Sequence, residues 1–160
     1  MTHQNIAERG PQLRLEEYFA GKTRAYGVFQ DRFGTLQRQL TVDLDGAWDG
    51  ATLTLDEDFV YDDGSTEERT WYIEKTGEDS YRGRCADVLG TADGKAHGNE
   101  LHWSYDFSLR VGDRNWNVRF DDRFFLQHDN VLINRAIVST FGVRIGDLTM
   151  IFQKSEAPAS

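Results

Sequence analysis

The sequence contains little cysteine, little proline, few basic side chains and no long apolar run, and each shortage excludes a class of protein. Cys85 is the lone cysteine, so the chain can form neither an internal disulfide nor a multi-cysteine metal site. The 18 Lys and Arg residues stand against 27 Asp and Glu residues, which gives a formal net charge of −9. A polyanion needs a clustered basic surface, so we expect neither nucleic acid nor an anionic membrane surface as a partner.

The apolar runs at residues 124–126 and 131–133 are far too short for a membrane span. The polar start of the chain shows neither the apolar core of a signal peptide nor a lipidation cysteine. We therefore expect a cytoplasmic protein with no membrane span.

The features that the sequence does contain indicate one folded domain. Its 160 residues match the usual size of a single domain, and an aromatic content of 12% is too high for a disordered chain. We expect a flexible N-terminus at residues 1–12, a single β-barrel domain at residues 13–154 and a disordered tail at residues 155–160.

Apolar and polar residues alternate with a period of two along most of the chain, which is typical of strands with one buried face. The clearest run places on one face Leu101, Trp103, Tyr105, Phe107 and Leu109. Turn pairs such as Asp49-Gly50 and Asp63-Gly64 separate these runs, while residues 13–19 predict a short helix. We predict an all-β, antiparallel, up-and-down, lipocalin-like (calycin-type) barrel of about eight to ten strands, because closure removes exposed strand edges.

The inner face of this barrel carries the candidate ligand-binding residues. A barrel of this size either encloses one small ligand or is filled by its own side chains, and a lining of rings suits both outcomes. The predicted site consists of Glu57, Phe59, Tyr61, Trp103, Tyr105, Trp116, Phe120, Asp122, Asn134 and Arg135.

Ionisable residues on the inner face are the unusual members of this set, because a buried ion is costly unless it is paired. Glu57 and Asp122 share the alternation of the apolar residues around them. The strand at residues 131–138 is apolar on both faces, so either Asn134 or Arg135 points inward. An inward Arg135 has two possible roles, a structural ion pair with Glu57 or Asp122, or capture of a ligand carboxylate by its planar guanidinium.

Motifs for metal binding and catalysis are weak. Five carboxylates lie in residues 56–63, but their spacing does not match a calcium-binding loop, and the four histidines show no zinc-binding spacing. We predict no metal and no cofactor. Glu57, Asp121 and Asp122 leave general acid–base chemistry open, since crowded carboxylates have divergent pKa values.

Four blocks of the chain resemble one known family. They are LEEYFAGKTRAYGVFQDRFG at residues 15–34, LDEDFVYDDG at 55–64, YRGRCADVLGTADGKAHGNELHWSY at 81–105 and FDDRFFLQHDNVLINRAIVSTFGVRIGDLTMIFQK at 120–154. The chain is thereby similar to the bacterial family known as domain of unknown function 3833. The resemblance implies a β-rich, lipocalin-like barrel and implies no established activity, substrate or catalytic residue.

Relatives in that family differ from this chain in two respects. They often begin with a lipoprotein signal and its lipidated cysteine, which makes a cell-envelope lipoprotein the alternative to a cytoplasmic protein. They also tend to carry Trp at the position of Arg123. Their genes often lie near those of lipid-modifying enzymes, which favours a lipid ligand.

The expected function is non-covalent binding of a small hydrophobic or lipid-like ligand, with or without a carboxylate, inside the barrel. An enzyme that acts on a lipid-derived substrate through Glu57, Asp121 and Asp122 is the first alternative. A structural or protein-interaction module with a filled barrel is the second. Whether the chain is an enzyme stays open at this point.

Overall fold

The computed structural model describes residues 6–111 and 113–155, and these form ten strands with one short α-helix. The predicted flexible N-terminus and disordered tail include residues 1–5 and 156–160, which lie outside the described residues. The elements are a 3₁₀ turn at Ile6–Arg9, α1 at Leu15–Tyr18, β1 at Gly21–Asp31, β2 at Leu36–Trp48, β3 at Thr52–Tyr61, β4 at Thr66–Lys75, β5 at Ser80–Arg84, β6 at Val88–His97, β7 at Glu100–Val111, β8 at Arg114–Leu126, a 3₁₀ turn at His128–Asn130, β9 at Val131–Thr140 and β10 at Val143–Lys154.

The ten strands form a closed antiparallel barrel in which each strand pairs with its neighbours in sequence. The barrel closes where β1 pairs with β10, in a register that runs from Thr23 opposite Lys154 to Asp31 opposite Gly146. Closure pairs each of the ten described strands on both sides. The removal of open strand edges is the reason for predicting a barrel from ten consecutive strands. The predicted all-β, up-and-down barrel with a short N-terminal helix is confirmed.

Alternation along each strand sorts side chains between the interior and the surface. On β3, Leu53, Leu55 and Phe59 are buried, whereas Asp56 and Asp58 are exposed. The polar positions of the strands thus face solvent on the outside of the barrel.

Within the described residues, no helix has the length and apolar character needed to cross a membrane.

The N-terminal segment closes one end of the barrel. Helix α1 is shorter than the predicted 13–19, but Leu13, Leu15 and Phe19 are all buried in the core. The helix is fixed by Glu16, which receives a hydrogen bond of 2.8 Å from the Tyr81 hydroxyl and lies 3.0 Å from the Lys75 ammonium.

Part of the segment predicted to be flexible packs on the same end of the barrel. The 3₁₀ turn Ile6–Arg9 buries Ala7, whose carbonyl accepts a hydrogen bond of 2.9 Å from the Asn99 amide. At the other terminus, the Ser155 amide donates to the Lys22 carbonyl at 3.0 Å. Both described ends of the chain therefore contact the barrel.

The opposite end consists of hairpin turns, including those at residues 31–36, 61–66 and 140–143. Gly64 adopts a φ of 84° in the turn between β3 and β4, where the sequence predicted a glycine turn. No helix covers this end among the residues that the structure describes. We call it the mouth of the barrel.

Candidate functional site

The barrel interior contains a cavity of about 650 Å³. Apolar side chains from nearly every strand form most of its wall, because they occupy the inward positions of the alternation. The closed end is formed by Leu15 and Phe19 of the N-terminal segment, and the outer end reaches exposed residues such as Arg38 and Ser65 at the mouth. The cavity therefore extends from the N-terminal segment to the mouth, where it is open.

The structure brings eight of the ten predicted site residues together on the wall of this cavity. They are Glu57, Phe59, Tyr61, Trp103, Tyr105, Phe120, Asp122 and Asn134. The rings pack against one another as well as against the cavity, for example Tyr105 and Phe120, which stack at 5.2 Å between centroids. Trp103 and Trp71 meet edge to face at 5.9 Å. These contacts hold the wall in place without filling the space that it encloses.

Arg135 does not reach the cavity, so the predicted roles for this residue inside the barrel are corrected. Its side chain is 62% exposed on the outer face, with Nη2 at 3.7 Å from Asp147 Oδ2. Asn134 is the inward residue, 3% exposed, and its side-chain amide donates to the Arg123 carbonyl at 3.3 Å. The outward positions of β9 carry the apolar Ile133 and Ile137, which is why alternation did not separate the two faces.

Trp116 also lies outside the cavity wall, although it shares the alternation of Val118 and Phe120. It is 43% exposed, and all of residues 114–117 at the start of β8 are exposed. The strand here extends past the core toward the mouth, so position in the alternation no longer determines burial.

Arg69 on β4 is the buried cation that the sequence interpretation missed. Its side chain is 14% exposed, and Nη2 donates to Glu67 Oε1 at 2.7 Å. The guanidinium also lies 4.8 Å from the centroids of both the Phe59 and Phe107 rings. The sequence does contain a pattern that places Arg69 inside the barrel. Glu67 and Arg69 occupy the same alternate positions of the strand as the buried Trp71 and Ile73.

Glu57 faces Arg69 across the β3–β4 pair. Burial raises the pKa of Glu57 to about 7, although the Arg69 charge and a hydrogen bond from Trp71 partly oppose that rise. A carboxyl group with this pKa holds its proton for part of the time at neutral pH. The cation nearest to Glu57 is therefore Arg69 on the adjacent strand, and not the predicted Arg135 on β9.

Asp122 is the more deeply buried carboxyl group, at 6% exposure on β8. Burial raises its pKa well above the ordinary value, and the charges of Asp121 and Glu57 act in the same direction. Tyr105 partly opposes the rise by hydrogen bonding. One oxygen of this carboxyl group, Oδ1, is buried and has no hydrogen-bond partner within residues 6–111 and 113–155.

Asp121 points away from the cavity, to the outer face, where its Oδ1 lies 2.5 Å from His102 Nε2. Of the three carboxylates that an enzyme was expected to use, Glu57 and Asp122 share the cavity and Asp121 does not. Within residues 6–111 and 113–155, no group of three or more His, Cys, Asp or Glu side chains is arranged to hold a metal ion.

A family model described as "Protein of unknown function (DUF3833)" matches residues 1–154. The chain belongs to the DUF3833 family. The resemblance drawn from the four sequence blocks is thereby confirmed over essentially the whole chain. A search of curated proteins gave no match for this DUF3833 member.

A solved structure with a similar fold is the S-type phycobiliprotein lyase CPES from Guillardia theta. The alignment has a TM-score of 0.67 at 10% sequence identity and covers 96% of the DUF3833 chain and 99% of the lyase chain. At this identity, the similarity establishes the barrel fold alone.

Proposed function

We propose that this protein binds a small hydrophobic or lipid-like molecule non-covalently inside its barrel. The observation that carries the proposal is the cavity of about 650 Å³, open at the mouth and walled mainly by apolar side chains. Its volume lies within the range of about 300–1,000 Å³ that is typical of small-molecule sites. A few convergent polar groups in an apolar pocket are the usual arrangement for orienting such a ligand.

The cavity also argues against the alternative of a filled barrel that serves only as a structural or interaction module. Protein interiors are normally packed with few voids larger than a water molecule. An apolar space of this size loses the contacts that its lining would make in a packed core, and a bound ligand restores them. The fold shared with a phycobiliprotein lyase supports the architecture and does not identify the ligand.

Native mass spectrometry of the protein purified from its own source cells, or from a heterologous host, tests this proposal. We expect a complex heavier than the bare chain that loses the extra mass on denaturation in organic solvent. The extracted material should restore the extra mass when it is added back to the delipidated protein. A bare chain in every preparation, together with failure to bind any apolar probe, would contradict the proposal.

A second candidate function is acid–base catalysis on a bound lipid-derived substrate, favoured by the presence of Glu57 and Asp122 in one cavity. A carboxyl group whose pKa is near 7 suits proton transfer at neutral pH. The extracted ligand should then exchange carbon-bound hydrogen for deuterium when it is incubated with the protein in D₂O. If the natural protein catalysed no exchange, or if Glu57→Gln catalysed it at the same rate, the catalytic candidate would be rejected. The binding proposal would stand in either case.

A further inference from the structure

The cavity wall contains a buried carboxyl oxygen that no described group of the protein satisfies. Glu57 and Asp122 both line the buried part of the cavity. Asp122 Oδ1 has no hydrogen-bond partner among the residues that the structure describes, although it is shielded from bulk water. A buried acceptor without a partner carries a desolvation penalty, so a donor supplied from inside the cavity would relieve a cost that the fold leaves uncompensated.

Arg69 does not supply that donor in this structure, because its Nη2 is directed to Glu67 and its Nε, although near Asp87, makes no hydrogen bond to a described residue. Nη2 donates to Glu67, Nε lies 3.5 Å from Asp87 Oδ2, and the planar group lies beside two aromatic rings. Two further cations among the described lining residues, Arg38 and Arg110, are exposed at the mouth. Arg38 lies over the Tyr61 ring at 3.7 Å.

We propose that the ligand carries a basic, hydrogen-bond-donating nitrogen on an apolar body and presents that nitrogen to Asp122 and Glu57. This inference rests on the proposed function and specifies the ligand class for the same cavity. An alkylammonium group has three donors and no acceptor. It matches Asp122, whose Oδ1 is unpartnered among the described residues, and Glu57, whose cation Arg69 is shared with Glu67. A ligand carboxylate at the same place would lie beside two acidic groups in a low-dielectric cavity, which is unfavourable whenever either of them is ionised.

The two carboxyl groups come from different parts of the barrel and are linked by two rings in contact. Trp71 hydrogen-bonds to Glu57, Tyr105 hydrogen-bonds to Asp122, and the two rings meet edge to face at 5.3 Å between centroids. Asp122 lies on β8, Glu57 on β3 and Tyr105 on β7. The charges of Glu57 and Asp122 each raise the pKa of Tyr105, after burial as the main cause, while Arg69 acts in the opposite direction. A donor placed near Tyr105 is therefore within electrostatic reach of both acceptors.

Three probes with the same alkyl chain test the inference: dodecylamine, dodecanol and dodecanoate. Each is titrated against the delipidated full-length protein at pH 8 with the neutral dye Nile red as the displaced reporter. We expect dodecylamine to displace the dye at a concentration about tenfold lower than dodecanoate, since charge-assisted hydrogen bonds are the strong ones. Dodecanol should lie between the two.

Variants test whether the preference for dodecylamine over dodecanoate comes from Asp122 and Glu57. Asp122→Asn and Glu57→Gln should each reduce the advantage of the amine over the acid to about threefold or less. Asp58→Asn is the matched control, because Asp58 is an exposed carboxylate on the outer face of the same strand as Glu57. It should leave the advantage unchanged, which separates the buried pair from the net negative charge. Circular dichroism and thermal unfolding of each variant establish that the barrel is folded.

The outcomes separate the inference from the proposed function. Displacement by dodecanoate at the same or a lower concentration than dodecylamine would overturn the inference and leave ligand binding intact. An equal loss of preference in Asp58→Asn would also overturn it, because the effect would then belong to the overall charge. Failure of all three probes to displace bound Nile red, or of Nile red to bind, would contradict the proposed function itself.

Discussion

Glu57 is the residue whose ionisation should control the stability of the barrel near neutral pH. Its pKa is about 7 in the folded protein against an ordinary value of 4.5. Between these values the folded state retains a proton that the unfolded chain has lost, so stability falls as pH rises through this range. The full shift is equivalent to about 3 kcal/mol at pH 8.

Glu57→Gln should therefore be more stable than the natural protein at pH 8, by about 1–3 kcal/mol, and should show little difference at pH 4. Urea unfolding at the two pH values measures this difference. Asp58→Asn on the outer face serves as the control and should show no comparable dependence. A difference for Glu57→Gln that is the same at pH 4 and pH 8 would mean that burial does not perturb this carboxyl group.

Arg69 is the residue that neutralises Glu57 on β3 and the half-buried Glu67 on β4. Arg69→Met keeps much of the apolar contact with Phe59 and Phe107 but leaves Glu67 and Glu57 without their cation. We expect a loss of about 3 kcal/mol at pH 8, because breaking a buried pair leaves an uncompensated charge. The loss should be smaller at pH 5, where Glu57 is protonated, and urea unfolding at both pH values tests this.

Arg135→Leu is the matched comparison on the outer face, where the guanidinium is mostly exposed. We expect a change in unfolding free energy of less than about 0.5 kcal/mol, as is usual for a surface ion pair. Ligand retention should also be unchanged. If Arg135→Leu lost the ligand while Arg69→Met retained it, the cation inside the barrel would be Arg135 and not Arg69.

At the scale of elements, the seating of α1 against β2 determines whether the barrel is closed at one end. A Cβ atom added at Gly46 would lie 1.8 Å from the Phe19 carbonyl oxygen, at the end of α1. The obstacle is backbone, so neither a rotamer change nor a small side-chain movement relieves it. Lys154 reinforces the same junction by donating to the carbonyls of Tyr18 and Ala20.

Gly46→Ala should displace α1 and destabilise the protein by about 1–3 kcal/mol. Hydrogen exchange of residues 13–19 should become faster, and the cavity should gain a second opening. Gly27→Ala is the control, because its added Cβ would meet only the side-chain atoms of Leu40 and Met150, at 3.1 Å. Equal protection of residues 13–19 in both variants would show that the approach of Phe19 to Gly46 does not hold the helix.

The strands themselves were predictable because their two faces differ in chemistry, as β3 and β7 show. β4 illustrates the limit of this signal. Its inward positions begin with Glu67 and Arg69 and become apolar only at Trp71 and Ile73. Because the first half of the inward face is charged, apolar alternation does not identify it as inward. β9 fails in the opposite way, since Ile133 and Ile137 are apolar on the outer face. Charge and hydrophobicity thus identify a face only where the surface is polar and the interior is not.

At the scale of the whole molecule, closure of the barrel could be predicted, but the space within it could not. Closure follows from ten consecutive strands that would otherwise leave two open edges. Whether the interior is hollow depends on how the side-chain volumes compare with the barrel radius, and alternation carries no information on this. Rings such as Phe120 and Trp103 could line a cavity or fill it, and the structure places them around a cavity of about 650 Å³.

Binding of Nile red to two variants of β9 tests most directly whether this cavity is the ligand site. Val138 lines the cavity beside Phe120 on β8, whereas the adjacent Ile137 lies on the outer face and is 48% exposed. Val138→Trp should weaken binding about tenfold, or 1.4 kcal/mol, because the indole occupies ligand space near the mouth. Ile137→Trp should bind the dye as the natural protein does. Equal affinities for both variants, with both barrels folded by circular dichroism, would contradict the assignment of the barrel interior as the binding site.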